Sequence, residues 1–301
     1  MKKRNKKTGR LRLSGGSVVF DIINNFCFII FSAAVLYPFV YLLALSFNDG
    51  MDALKGGITI WPRIFTLENY QIIFSEKQLT SAVFMSVSRT ILGTLVTLVF
   101  TILVSYCFTR REMLFFNAYL WIIMLPMYVS AGLIPTFLVY RALRLTNTFW
   151  VYILPNLVWA SNVVIMRTMF DTVPASLHEA AVIDGAGDMK ILIRVIVPLS
   201  FPVIATIALF NAVWHWNSWY DTVMFTRDSH LDTLMSLLSR MLMESQSQLI
   251  NVLKSARRAK SLTPEVLKAA MTIVTVVPII IVYPFLQKYF VKGIMVGAIK
   301  E

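Results

Sequence analysis

The residues best suited to contact a partner lie in one polar stretch, Phe170 to Pro202, between two apolar segments. Ser176 stands three residues before Glu179, which is the spacing of a capping box. Proline favours an early helical position and glycine favours a helix end. The sequence therefore predicts a short helix that begins near Pro174 and ends at Gly185 with a positive φ.

This predicted helix has a small-residue face that suits contact with another protein. Ala180 and Ala181 let a second surface approach the backbone closely, and Glu179 and Asp184 frame them with carboxylates. A helix lying on lipid headgroups is the alternative. Two carboxylates with few basic residues fit poorly beside anionic lipid, so the sequence favours a protein partner.

A second short helix is predicted after the Gly185-Ala186-Gly187 turn. Asp188 has the side chain of a helix N-cap, and Pro198 stands where the next apolar segment begins. The polar stretch is therefore expected to hold two short helices joined by a glycine turn.

The sequence contains few residues that could form a catalytic or metal site. The pattern G-x-x-x-x-G-K-[ST] is absent, so the chain does not cradle ATP phosphates by that route. A membrane-embedded hydrolase would need acids or His–acid ligands at membrane depth, and His215 has no acid in its own apolar segment. Cys27 and Cys107 both lie in apolar segments, which favours buried thiols over a disulfide or a metal site.

The composition places these residues in a membrane protein. Hydrophobic residues make up 57% of the 301 residues and charged residues only 15%, whereas a soluble domain carries roughly 25% charged residues. A span needs about 20 residues. We predict an all-α integral membrane protein of about six spans, near 22–47, 90–109, 113–140, 145–166, 195–220 and 269–287.

The net charge of +12 is expected to set the orientation in the membrane and not to form a nucleic-acid surface, because the basic residues flank apolar segments. Seven cations precede the first acid, Asp21, so both termini are predicted to be cytoplasmic. The predicted division is a tail over 1–21, a membrane domain over 22–290 with outer loops 48–80 and 221–268 and an inner loop 167–194, and a tail over 291–301.

Two further features of the spans bear on function. Prolines interrupt most of them, and kinked helices suit a transport cavity as well as a purely structural bundle. Arg89 lies near the outer end of the second span, which is expected to begin near Ser81, and we predict that its side chain reaches to the interface.

The inner loop carries a family resemblance. Its Glu179-Ala180-Ala181, Asp184-Gly185, Pro198 and Pro202 resemble the EAA loop of permease subunits of binding-protein-dependent ABC importers. The segment 62–70 resembles the outer segment that follows span one in carbohydrate-importer permeases. The chain end from Tyr283 to Lys300 resembles the tail of the second permease subunit, the one similar to the smaller permease of the maltose system. The long outer loop and Thr263-Pro264-Glu265 resemble permeases for complex oligosaccharides such as pectin fragments.

The resemblance implies a type I importer fold and an assembly in a bacterial cell membrane. This chain would form half of an oligosaccharide pathway, beside a second permease, two ATPase subunits and an extracellular solute-binding protein. It would carry no cofactor, since ATP and Mg would lie on the ATPase, and no catalytic or metal site. The residues implied in ATPase coupling are Glu179, Ala180, Ala181, Asp184, Gly185 and Pro198, with a second contact from the tail at Gly293, Gly297 and Lys300. A secondary transporter or channel that works without an ATPase is the alternative.

The aromatic run from Trp214 to Tyr220 is the candidate sugar site. Indole rings stack on the apolar faces of sugars, and Asn and Tyr supply hydrogen bonds. An aromatic belt at the membrane interface is an equal alternative, and the partner permease is implied to hold most sugar contacts. The candidate pathway residues are Asn211, Trp214, Trp216, Asn217 and Tyr220, with Asn156 and Trp159 as lesser candidates.

Overall fold

A computed structural model describes residues 15–75, 77–243 and 263–298 of the chain. Within these ranges the secondary structure is helical, with one isolated β-bridge between Asn48 and Phe65. The helices are α1 Gly15–Ser46, α2 Gly50–Ala53, α3 Glu68–Ser75, α4 Lys77–Cys107, α5 Phe116–Met124, α6 Leu133–Ala142, α7 Ala160–Phe170, α8 Ala175–Ile183, α9 Asp188–Ile191, α10 Val197–Leu199, α11 Phe201–Asn217, α12 Tyr220–Phe225, α13 Leu234–Met243 and α14 Pro264–Ala298. The predicted all-α class is confirmed.

Among the described residues, three continuous helical segments are long and apolar enough to span a membrane: Val19–Ser46, Lys77–Cys107 and Pro264–Pro284. The second begins four residues earlier than the Ser81 expected from the sequence. Two further candidate spans are bent pairs, Phe149–Asn156 with Ala160–Phe170 at 51° and Asp188–Leu199 with Phe201–Asn217 at 85°.

The predicted single span over 113–140 is instead two shorter apolar helices, Phe116–Met127 and Leu133–Ala142. Pro126 lies in the 3-10 turn that ends the first, and Gly132 precedes the second with a φ of +81°. Proline lacks an amide hydrogen and glycine alone adopts this φ without strain, so the helix ends here although the apolar run continues.

The chain divides into two compact units, of which the first comprises 1–69 and 258–270. Its core joins the end of α1 to the start of α14 through Ala44, Leu45, Val266 and Ala269. The long remainder of α1 exposes its apolar side chains, including Cys27, so the expected burial of this thiol is wrong. Cys107 is exposed as well. An apolar sequence context predicts contact with lipid or protein equally, and burial within the chain does not follow from it.

A polar brace holds the segment that follows α1. The Asn48 side-chain oxygen accepts hydrogen bonds from the amides of Arg63 at 2.8 Å and Ile64 at 3.0 Å. Asn69 donates to the carbonyls of Ser46 at 2.8 Å and Asn48 at 2.9 Å. Arg63 pairs with Asp52 at 3.0 Å. The 62–70 segment thus folds back onto the end of α1.

The second unit comprises 70–257 and 271–301, and α4 is its central helix. α4 packs against α11 and α7, and the approach to α11 is very close at Gly93. A Cβ atom at this position would lie 2.5 Å from the ring of His215. At the other end, Tyr106 joins an apolar cluster with residues of α7, α9 and α11. α4 therefore runs from one candidate region of the molecule to the other.

Candidate functional site

The helix predicted around Glu179 is α8, Ala175–Ile183. Gly185 has a φ of +73°, and two hydrogen bonds close the helix end: from the Gly185 amide to the Val182 carbonyl and from the Ala186 amide to the Ala181 carbonyl, both 2.9 Å. This is the Schellman arrangement, which needs a left-handed residue after the helix. The predicted helix end at Gly185 is confirmed.

Two capping predictions are wrong. Pro174 is the N-cap of α8, so Ser176 lies inside the first turn and makes no capping box with Glu179. The helix begins directly after Pro174, so Ser176 is too far into the helix to act as its N-cap. Gly187 is the N-cap of α9, and Asp188 is its first helical residue without a capping hydrogen bond. The Asp188 carboxylate is engaged by Arg110 instead.

The exposed face of α8 is small and apolar with acids beside it. Glu179, Ala180, Asp184 and Gly185 are exposed, whereas Ala181 packs against the apolar cluster of α9 and α11. Ile183 exposes 85% of its surface. Glu179 and Asp184 make no ion pair with any residue that the structure describes. This face is available to an apolar surface rimmed by cations.

The chain after α8 turns sharply before it crosses the second unit. A π-helical turn, Leu192–Ile196, follows α9, and the helix axis bends by 85° between Leu199 and Phe201. Pro198 lies in α10 at this bend. Ile191 and Ile196 are buried in the same cluster that receives Ala181. The loop is therefore packed on the membrane helices and not suspended from them.

Arg110, just after α4, joins the two arms of this loop. Its Nη2 donates to Asp188 Oδ1 at 2.7 Å and to the Tyr106 hydroxyl at 2.9 Å, and it contacts Nε2 of His178. His178 belongs to α8 and Asp188 to α9. One guanidinium thus touches both short helices and the end of α4.

The aromatic run lines an open pocket of about 720 Å³. Trp214, Asn217 and Tyr220 line it together with Ser218 and Trp219, and Ile279 and Tyr283 of α14 line it as well. Indole and phenol faces lie beside amide and hydroxyl groups here, which is the chemistry that binds a sugar ring.

The other candidate pathway residues do not line this pocket. The Trp216 indole nitrogen donates to the Thr275 carbonyl at 3.0 Å, and its ring lines an adjoining apolar cavity that shares Leu209, Val213, Ile279 and Tyr283 with the first. Asn211 is 5% exposed and accepts from Asn162 at 2.9 Å. Trp159 packs on Trp214 with ring centroids 5.0 Å apart. Asn156 ends a 3-10 turn and is not among the pocket residues.

Arg89 is the residue that sequence reasoning misplaced. Its side chain is fully buried and does not reach an interface. It forms a two-point ion pair with Asp221, whose Oδ1 lies 3.0 Å from Nη1, and it donates to the Ser218 carbonyl at 3.0 Å. The guanidinium also lies 4.5 Å from the ring centroid of Tyr152 and 5.9 Å from that of Trp214. Burial is possible because a carboxylate from α12 neutralises the charge.

Parts of the predicted tails lie outside the described residues. Lys300 and the basic cluster over 2–12 are among them. Gly293 and Gly297 lie within α14, of which the backbone is described.

Comparisons with known proteins agree with this architecture. Residues 114–296 match the family model described as binding-protein-dependent transport system inner membrane component. A polygalacturonan/rhamnogalacturonan transport system permease of Bacillus subtilis, YtcP, is 32% identical over 94% of this chain and 98% of its own length. Protein LplC of the same organism is 34% identical over 98% of this chain and 97% of its own length.

Among solved structures, a chain of a bacterial ABC transporter that imports the acidic polysaccharide alginate superposes with a TM-score of 0.85. It is 28% identical and the match covers 92% of this chain and 98% of that one. A second chain, from an alginate transporter in complex with an alginate-bound periplasmic protein, shares the fold at a TM-score of 0.57 and 14% identity.

Proposed function

Because the chain belongs to the family of binding-protein-dependent transport system inner membrane components, we propose that it forms half of an ATP-driven oligosaccharide pathway and is driven through α8. It is a membrane transport subunit and not an enzyme. The observation that carries the proposal is the exposed face of α8 around Glu179, held in place by the Schellman turn at Gly185.

We expect the ATPase to move the permease through a rigid contact with α8. Alternating access requires that a change in the ATPase moves the permease as a unit. Ala180 admits a close surface, Ile183 offers an apolar anchor, and Glu179 and Asp184 have free carboxylates for cations on the ATPase. Ala181 and Pro198 connect this face to the buried cluster and the bend. ATP and Mg belong to that partner.

The substrate is an oligosaccharide. The pocket of the aromatic run supports this assignment, because Trp214, Asn217 and Tyr220 all line it. An aromatic belt alone would not need a pocket behind it. Trp159 supports the Trp214 ring, whereas Asn211 and Trp216 act in packing, through the bonds to Asn162 and to the Thr275 carbonyl. Relatives named for polygalacturonan and for arabinooligosaccharide transport support a complex plant-type oligosaccharide.

The assembly includes a second related permease, two ATPase subunits and an extracellular solute-binding protein. It lies in a bacterial cell membrane with both termini in the cytoplasm, as the basic cluster before the first span favours. The tail from Gly293 through Gly297 to Lys300 makes a second contact with the ATPase.

The test replaces one exposed acid of α8. Glu179→Lys reverses the charge offered to the ATPase, so we expect an assembled complex whose substrate-stimulated ATP hydrolysis falls to the basal level. Glu112→Lys is the matched control, because Glu112 is also exposed and makes no ion pair with the described residues. Equal stimulation in both variants, or uptake that persists when the ATPase is inactivated, would overturn the proposal.

A further inference from the structure

Two arginine–aspartate contacts bound the second half of α4. Just after its C-terminal end Arg110 holds the loop that contains α8, and near its middle Arg89 holds the peptide that lines the aromatic pocket. The helix is continuous from Lys77 to Cys107. Arg89 and Cys107 are eighteen positions apart, which corresponds to about 27 Å at 1.5 Å per residue, close to the thickness of a bilayer core.

The outer contact reaches the pocket wall directly. Ser218 lines the pocket, and Arg89 donates to its carbonyl at 3.0 Å. The Asp221 carboxylate that pairs with Arg89 also accepts from the Ser218 hydroxyl at 3.2 Å and the Thr222 amide at 2.9 Å. A displacement of Arg89 must therefore move the turn between α11 and α12.

The inner contact is equally direct. Arg110 touches His178 in α8 and Asp188 in α9, and the Tyr106 ring lies beneath the guanidinium at 5.3 Å. A push on α8 therefore reaches the end of α4 through a charged side chain and not only through apolar packing.

We propose that the part of α4 from Arg89 to Cys107 is a strut that transmits movement of α8 to the aromatic pocket, with Arg110 and Arg89 as the positioning residues that bound it. This inference rests on the proposed function, since it takes α8 as the point where the ATPase acts. The strut defines a route from α8 through α4 to the pocket. It also assigns roles to Arg89 and Arg110, which lie outside the 167–194 loop.

The inner end is tested with the complete transporter, stimulated by its solute-binding protein and a pectin digest that holds neutral and acidic oligosaccharides. Arg110→Gln should lower the ratio of stimulated to basal ATP hydrolysis by up to about fivefold, the size of effect expected for an exposed ion pair. Basal hydrolysis and assembly should not change. The adjacent Arg111→Gln is the matched control, because Arg111 is exposed and makes no ion pair or hydrogen bond with the described residues. It should retain the ratio.

A second variant separates a shared contact from general damage. Asp188→Asn should lower the ratio like Arg110→Gln, and the double variant should be no worse than either single one, because both remove the same interaction. Additive losses, or a loss of basal hydrolysis together with assembly, would mean that Arg110 is only a structural brace and would overturn the strut.

The outer end is tested by removing both charges together. Arg89→Gln with Asp221→Asn leaves no unpaired buried charge, so the complex should assemble and show the same fall in the ratio. An unchanged ratio, or failure of this double variant to assemble, would refute the role of Arg89. If Glu179→Lys abolishes stimulation while Arg110→Gln does not, the strut is wrong and the proposed function stands. If neither variant has an effect, α8 is not the coupling element.

Discussion

Two arginine–aspartate pairs bound the second half of α4, one at the pocket end near its middle and one at the loop end just after Cys107, and their surroundings are opposite. The Arg89 side chain is fully buried and that of Asp221 is 12% exposed, whereas the side chains of Arg110 and Asp188 are 38% and 76% exposed. Removing one partner of a buried pair costs about 3–5 kcal/mol, but an exposed pair contributes only about 0–1 kcal/mol. The pocket end is therefore fixed, and the loop end can rearrange at little cost. A contact that must follow the movement of a partner is therefore better made by an exposed pair such as Arg110 with Asp188 than by a buried one.

The largest expected effect is at the buried end. Arg89→Gln should lower the free energy of unfolding by about 3–5 kcal/mol, because Asp221 then remains buried without a counter-charge. Adding Asp221→Asn should recover most of this loss. Thermal unfolding of the purified chain in detergent measures both. If the double variant were less stable than the single one, burial of an uncompensated charge would not be the cause.

The next effect concerns the backbone at the exposed end. Gly185→Ala should destabilise the end of α8 by about 1–2 kcal/mol, because a side chain is strained at a positive φ. Gly187→Ala is the matched control, since Gly187 has a φ of −74° and neither glycine has atoms within 4 Å of an added Cβ. Hydrogen exchange of the α8 amides should increase only in the first variant. Equal protection in both would contradict the strain.

A smaller effect on stability distinguishes residues that line the aromatic pocket from residues that pack behind it. Trp216→Phe should lower the free energy of unfolding by about 0.5–1.5 kcal/mol through loss of the bond to the Thr275 carbonyl, with little change in uptake. Tyr220→Ala should lower uptake of labelled oligosaccharide and leave stability unchanged, because Tyr220 is exposed at the pocket. The reverse pattern would favour an aromatic belt over a sugar site.

The smallest effect involves a third arginine–aspartate pair, Arg63 with Asp52, which lies in the segment that follows α1 in the first unit. The hydrogen bond from Asn48 lowers the pKa of Asp52 below 3.8, helped by Arg63 and opposed by burial. A carboxylate whose pKa is lower in the folded than in the unfolded state stabilises the fold at pH values above its unfolded-state pKa. This stabilisation is lost as the pH falls through the folded-state pKa. The melting temperature should therefore fall between about pH 5 and pH 3, and less so in Asp52→Asn. An identical pH profile in both proteins would exclude this contribution.

The sequence predicted what is local. Apolar runs located most of the spans, and the glycine at position 185 located the end of α8, because one residue type determines each feature. The break of the 113–140 run escaped prediction because the run contains no charged residue, although Pro126 and Gly132 mark the break in the sequence. Capping at Ser176 was plausible by spacing, but Pro174 already sets the helix start.

Contacts between distant residues could not be predicted in the same way. Arg89 and Asp221 are 132 positions apart, and a cation in a span can reach to the interface or pair with an acid. The only available signal was that Asp221 is the first acid after the fifth apolar run. The separation of Trp214 and Trp216 likewise depends on which helical face meets α14, which a run of aromatic residues does not specify.

The close approach at Gly93 has a consequence for how such a chain can diverge. Because the His215 ring occupies the place of a Cβ atom, any side chain at position 93 would force α4 away from α11 or displace the histidine. Selection therefore acts on the pair and not on either residue alone. During divergence a larger residue at 93 is accessible only after 215 has become smaller, so that the order of substitutions, and not only their identity, is constrained by the packing.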